Sequence, residues 1–123
     1  MPTSSASASA YVRRLLVTLR GEVRVVPVGE VAYIEADRSY ALVHTHTAPT
    51  PYPIRTSLAD LDQRLDPGAF CRIHRSTIVR LDAVEAIVTA SGGDYSVRLL
   101  DGTTLSLSRG RRDTLLRALE GDE

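Results

Sequence analysis

The feature that most restricts the fold of this chain is a succession of short runs rich in Val, Ile, Leu, Tyr and Thr, each cut off by glycine, proline or a polar pair. From Val12 the runs read VRRLLVTLR, EVRVVPV, VAYIEA and SYALVHTHT. β-Branched and aromatic side chains suit a pleated surface, and the residues between the runs are those that turn one strand back on the next. Four strands are therefore expected before residue 48, with a tight connection at Gly21-Glu22 and a strand end or sheet edge at Pro27. The stretch Ala48-Pro49-Thr50-Pro51-Tyr52-Pro53 cannot occupy a central strand, because its prolines remove backbone donors, and it reads as a loop with an extended exit.

Helical spacing first occurs at Ser57–Leu65, where Leu58, Leu61 and Leu65 fall on one face and Ser57 with Asp60 has the form of an N-cap. Asp66-Pro67-Gly68 ends it. Strand-like segments resume at Thr77–Arg80, Ala83–Ala90, Tyr95–Leu100 and Thr103–Leu107, with hairpin turns signalled by Gly92-Gly93-Asp94 and Asp101-Gly102. Ser108 is the candidate N-cap of a last helix that carries Leu115, Leu116 and Leu119 on one face and Arg111, Arg112 and Arg117 on others. The expectation is a mainly β fold with two helices of two to three turns, too few for a helix-turn-helix reader.

Length limits how much else the chain can hold, since 123 residues suit one core and leave no room for a receiver or catalytic domain beside it. Residues 1–10 (MPTSSASASA) have neither a basic start nor an apolar stretch and read as a disordered tail or linker. The ordered domain is expected over residues 11–120, with a second tail at 121–123. A lone cysteine, Cys71, cannot form an internal disulfide, and no apolar run approaches the roughly 20 residues of a bilayer span, so a cytoplasmic location is expected.

Fifteen basic and fifteen acidic residues give zero formal net charge, which excludes a generic, strongly basic polyanion binder. The distribution is uneven, however. Arg72–Arg80 holds three arginines and a histidine with no acid, and Ser108–Arg117 holds four arginines against one aspartate. Every basic residue is arginine, whose planar fork can grip phosphate or guanine through two hydrogen bonds. An approaching duplex feels charge within about one Debye length, so two such clusters on one side suffice for phosphate steering whatever the total charge. The competing structural reading pairs these arginines with Asp82, Asp101 or Asp113 as ordinary surface ion pairs.

Two other chemistries compete for these residues. His44-x-His46 on a strand places two imidazoles on one face, as in a small metal-binding β-barrel enzyme, but no third ligand follows closely, and polar residues on a solvent face explain the pattern better. Cys71, between Phe70 and Arg72 in what reads as a structured turn, fits a buried small hydrophobe rather than a nucleophile. A β-sheet protein-interaction module without DNA binding is the stronger alternative, with Leu15-Leu16-Val17 as the contact.

Several blocks taken together carry a family resemblance. They are Val31–Ala36 with Ser39-Tyr40, Arg55-Thr56-Ser57-Leu58 with Leu61 and Leu65, Phe70–Ser76, and Asp101-Gly102 with Leu105–Arg109. In order and spacing they resemble the LytTR DNA-binding domain of bacterial response regulators, over about Val12 to Leu119. The resemblance implies stacked antiparallel β-sheets with one short helix between them and one short C-terminal helix. It also implies loops that enter successive major grooves. Carried over by position, the reading loops are Arg38, Ser39 and Tyr40; then His74, Arg75 and Ser76, with Arg72 in the same block; and Arg109, with Arg111 and Arg112 behind it. Arg109 is expected at a helix N-terminus, where backbone amides favour an anion. Arg80 stands where many members of the family carry Asn, and Asp37 adds a negative charge beside the first reading loop.

The expected partner is double-stranded DNA with paired direct or inverted repeats about one helical turn apart, bound as a homodimer formed on the DNA. The source of input stays open between a domain once joined through the N-terminal linker, a receiver-type or membrane partner, and control by expression level alone. Neither a cofactor nor a small-molecule substrate is called for, and no enzymatic activity is expected.

Overall fold

The computed structural model describes residues 11–121. Ten strands and two helices follow in the order β1 (Arg14–Leu19), β2 (Glu22–Pro27), β3 (Val31–Asp37), β4 (Tyr40–Thr45), β5 (Tyr52–Ile54), α1 (Leu58–Arg64), β6 (Phe70–His74), β7 (Thr77–Arg80), β8 (Val84–Thr89), β9 (Tyr95–Leu99), β10 (Thr104–Leu107) and α2 (Arg112–Glu120). Short 3-10 turns at Val28–Glu30, Leu81–Ala83 and Arg109–Arg111 link some of them. The tail expected at residues 1–10 and the last two residues of the one expected at 121–123 lie outside the described residues, whereas Gly121, placed in that second tail, caps α2 in the left-handed region at φ 75°.

A five-stranded antiparallel sheet, in the order β5-β4-β3-β7-β6, forms the middle layer. Side chains alternate across it. Ile34, Val43 and Ile78 face the β1-β2 hairpin and α1, meeting Leu15, Val17 and Leu61. Ala32, Cys71, Ile73 and Val79 face the β8-β9-β10 sheet and α2, meeting Val97, Leu107 and Leu115. A sheet covered on both faces needs apolar residues in succession, which explains why Thr77, Ile78 and Val79 are all buried. Each fully buried Leu or Ile contributes roughly 1.5–3 kcal/mol from apolar transfer alone.

Most turns form where the sequence marks them, with one shift. Leu19 pairs with Glu22, so the first connection is Arg20-Gly21 rather than Gly21-Glu22. Both residues have positive φ, at 53° and 82°, the twist a two-residue hairpin demands. Pro27 ends β2, and Pro53 sits in β5 at the edge of its sheet, where a missing donor is tolerated. Ser57 caps α1 as expected, its Oγ accepting the Asp60 amide at 3.0 Å.

Three local expectations are corrected. Phe70–His74 is a strand and not a turn, and Cys71 is buried within it. The Ser108 side chain caps nothing; a 3-10 turn over Arg109–Arg111 comes first, and the α-helix begins only at Arg112. On α2 the buried contact is Leu115, supported by Ala118, while Leu119 is exposed. Leu115 and Ala118 centre the buried face, so Leu116 and Leu119 fall at its margin.

Candidate nucleic-acid interface

Strand register places the three expected reading loops at one end of the molecule. β3 and β7 run antiparallel with Glu35 opposite Thr77, and beyond that pair the Ala36 amide donates to the Ser76 carbonyl at 2.9 Å. The β3-β4 tip, Arg38-Ser39, and the β6-β7 tip, Arg75-Ser76, are therefore neighbours. Asp37 pairs with Tyr40 across the first tip, and Arg38 takes the left-handed φ of 59° that so short a loop requires.

The third loop is tied in by a β-bulge. The β6-β7 register slips between Arg72 and His74, leaving Ile73 without a ladder partner. Its carbonyl accepts instead from the Ser108 amide at 2.8 Å, which fixes the start of the Arg109–Arg111 turn beside the β6-β7 tip. Bulges commonly re-aim neighbouring side chains in this way. His74, Asp94, Tyr95, Ser106, Ser108 and Arg109 line the resulting open cleft.

The side chains divide into those that build this end and those left free on it. The Ser76 amide donates to His74 Nδ1 at 3.2 Å, and the Ser76 hydroxyl lies 2.9 Å from the same nitrogen. A backbone amide can only donate, so Nδ1 accepts and the proton of the neutral ring resides on Nε2. His74 thus shapes the turn with one nitrogen and keeps a donor on the other. Arg72 is spent on structure: its Nη2 donates to the Arg75 carbonyl, closing the turn from below. Arg112 is largely committed too, with its guanidinium 5.2 Å from the Tyr95 ring centroid and Nη1 3.4 Å from Asp113.

Arg111 is half-buried and near enough to Cys71 for its charge to oppose, in part, the burial that pushes the thiol above its ordinary range. Arg38, Arg75 and Arg109 are exposed, and among the described residues no carboxylate lies within ion-pair distance of any of them. The arginines that do find acids are Arg24, Arg64, Arg80, Arg98 and Arg112. Of the acids expected as partners, Asp82 and Asp113 take arginines, while Asp101 accepts the Thr103 amide at 2.9 Å, which holds its carboxyl below the usual range. Tyr40 stands apart from the cleft, in a groove with Leu16, Asp37, Leu42 and Ile54.

The matching family model is that of the LytTr DNA-binding domain, over residues 21–120. This chain belongs to the LytTR DNA-binding family. It is 36% identical over 96 residues to the CO-responsive transcriptional regulator RcoM of Rhodospirillum rubrum, covering 78% of this chain and 40% of that protein. It is 34% identical over 90 residues to an uncharacterized response regulatory protein of Vibrio cholerae, covering 72% of this chain and 34% of that one. The chain thus spans well under half the length of both relatives. The fold is that of the LytTr DNA-binding domain of a Bacillus cereus response regulator, with a TM-score of 0.75 at 22% identity over 89% of this chain and 98% of the other.

Within this LytTR domain the rival sites look different. His44 lies 2.8 Å from Glu35 through Nε2 and stacks on Tyr33 at 4.2 Å, while His46, just beyond the end of β4, lines the same open pocket. Among the described residues no cluster of three metal-ligating side chains occurs. Of the trio expected as a protein contact, Leu15 and Val17 are buried and only Leu16 is exposed, beside Val23 and Val25 of β2. The sequence reading missed the contribution of the β8-β9 turn: Asp94 and Tyr95 line the cleft, and Arg109 Nη2 donates to the Gly92 carbonyl at 3.3 Å. Gly92-Gly93-Asp94 marked a turn, but nothing local tied that turn to Arg109.

Proposed function

We propose that this LytTR domain is a sequence-specific transcriptional regulator, or the effector part of one, that lays the end formed by its reading loops across successive major grooves. The observation that carries the reading is the convergence of the Arg38, Arg75 and Arg109 loops, held by the Ala36–Ser76 and Ser108–Ile73 bonds, with all three guanidinium groups free of described carboxylates. Arg75 and Arg109 are assigned to paired contacts with guanine O6 and N7. Ser39 and the His74 Nε2–H are assigned to phosphate oxygens, which position the domain without reading sequence. Arg111 and Arg112 supply background positive charge, and Arg72 acts through the turn it closes. Tyr40, in its separate groove, reaches DNA only at the outer margin of the footprint.

Two copies on paired repeats about one helical turn apart form a dimer on the DNA. The relatives, both far longer than this chain, are a CO-responsive regulator and a response regulatory protein. Input to this domain comes, on that pattern, from a further domain or a receiver-type or membrane partner. Its setting is the cytoplasm, and its ligand is DNA rather than a small-molecule substrate. The exposed aliphatic stripe of Leu16, Val23 and Val25 favours a second reading, a protein-interaction module.

Selection of bound fragments from random duplexes, followed by titration of the selected and a scrambled site over a salt series, separates the two. DNA reading requires a recovered motif and affinity that falls steeply with salt. Recovery of no motif, with weak and sequence-blind binding, would leave only the protein-contact reading.

A further inference from the structure

We propose that the Gly92-Gly93 turn between β8 and β9 is a positioning element of the DNA interface, one that sets the direction of the Arg109 guanidinium. This inference rests on the assignment of Arg109 to base recognition. The turn is closed by the Ala90 amide on the Asp94 carbonyl at 2.8 Å and the Gly93 amide on the Ala90 carbonyl at 3.2 Å. Both glycines are left-handed, with φ of 92° and 86°, a region that side chains other than glycine rarely enter. That conformation presents the Gly92 carbonyl to Arg109 Nη2 at 3.3 Å.

The two glycines differ in what stands over them. A methyl at Gly92 would meet nothing within 4 Å, whereas one at Gly93 would lie 3.1 Å from Arg109 Nη2. The missing side chain at Gly93 is thus the space in which the guanidinium rests. A long arginine side chain ordinarily samples many rotamers, and a donor fixed in advance discriminates between bases better than one that must be ordered on binding. One carbonyl behind the guanidinium and an open seat beside it limit that freedom while leaving the remaining N–H groups for a ligand.

A control comes from a glycine away from this turn. Gly102, between β9 and β10, has a φ of 94°, and a methyl there would meet nothing within 4 Å, so Gly102→Ala imposes backbone strain like that of Gly93→Ala without touching Arg109. Affinities of both glycine variants, Arg109→Ala and the double variant Gly93→Ala/Arg109→Ala are measured on the selected duplex and on a scrambled one. The expected result is that Gly93→Ala lowers the ratio of the two affinities nearly as far as Arg109→Ala does and adds little to it in the double variant, while Gly102→Ala leaves the ratio near that of the parent. Equal effects of the two glycine variants, or full additivity of Gly93→Ala with Arg109→Ala, overturn the proposal. Should Arg109→Ala itself leave the ratio unchanged, the assignment of Arg109 to bases falls first and the turn has nothing to position.

Because a left-handed alanine can impair folding, a measurement on the unaltered protein stands beside the variants. The NMR order parameter of the Arg109 Nε–H is expected to exceed that of Arg75, whose side chain has no described hydrogen-bond partner. Equal mobility of the two overturns the proposal as well.

Discussion

The Ser108 amide donates to the Ile73 carbonyl at 2.8 Å, at the β-bulge on β6, the edge strand of its sheet. That bond anchors the start of the Arg109 turn beside the β6-β7 tip that carries Arg75. The two most basic stretches of a neutral protein meet there. Charge distribution rather than charge total therefore sets the character of this end of the LytTR domain.

Replacing Arg109 or Arg75 by Ala is expected to lose about 1–3 kcal/mol on the selected site and far less on a scrambled duplex, because each is assigned to a base edge. Fluorescence anisotropy at fixed salt measures both. A parallel loss on the two duplexes would reassign these arginines to phosphate.

Arg112 is expected to behave differently from its neighbours. Its contact with the Tyr95 ring fastens α2 to β9, and such a contact on a partly exposed arginine stabilises by roughly 0.5–1 kcal/mol. Arg112→Ala is expected to lower the urea midpoint by a corresponding amount while changing the salt slope of DNA binding less than Arg75→Ala does. An unchanged midpoint would show that the Tyr95 contact contributes nothing.

Most of the strands, both helices and most turns are legible in the sequence because each is fixed by neighbours within a few residues. Ser57 with Asp60, the Leu58-Leu61-Leu65 face and the Arg20-Gly21 region all carry local signals. β6 reads as a turn because it is only five residues long and stands between Asp66-Pro67-Gly68 and a basic block, and the alternation of Cys71 and Ile73 with Arg72 and His74 gains its meaning only once β7 pairs with it. At the interface, residue types were legible but their duties were not. Arg72 and Arg75 are indistinguishable as letters, yet one closes the turn and the other is free, a difference made by carbonyl positions that only the tertiary fold sets. The tie between the β8-β9 turn and Arg109 is illegible for the same reason: Gly92 and Arg109 are far apart in sequence, and their contact depends on the register of two hairpins.

His74 is expected to be the Nε2–H tautomer in its neutral form, since its Nδ1 accepts the Ser76 amide. Long-range proton–nitrogen NMR correlations distinguish the two tautomers directly. Finding the proton on Nδ1 would remove the bond that shapes the β6-β7 tip.

Cys71 is expected to react with iodoacetamide only as fast as the protein opens. The thiol is buried in β6, and desolvation raises its pKa, which reduces the thiolate available to attack near neutral pH. Labelling followed by mass spectrometry, with and without urea, tests this. Rapid alkylation under native conditions would place the thiol at the surface.

Asp60 gives α1 a pH dependence whose sign follows from its contacts. Bonds from Arg64 Nη1 at 3.0 Å and Thr56 Oγ1 at 3.1 Å hold its carboxyl below the ordinary range, the Arg64 contact being the larger cause. A carboxyl with a lowered folded pKa binds its proton more weakly than in the unfolded chain, so its contribution is present above the unfolded pKa and disappears as pH falls through the folded value. Because the pair is fully exposed, the effect is small and salt-sensitive. Urea unfolding of the parent and Asp60→Asn is expected to separate the two proteins near neutral pH and to bring their midpoints together in acid. A difference that persisted unchanged in acid would trace the variant's effect to the Thr56 hydrogen bond or to packing rather than to the charge on Asp60.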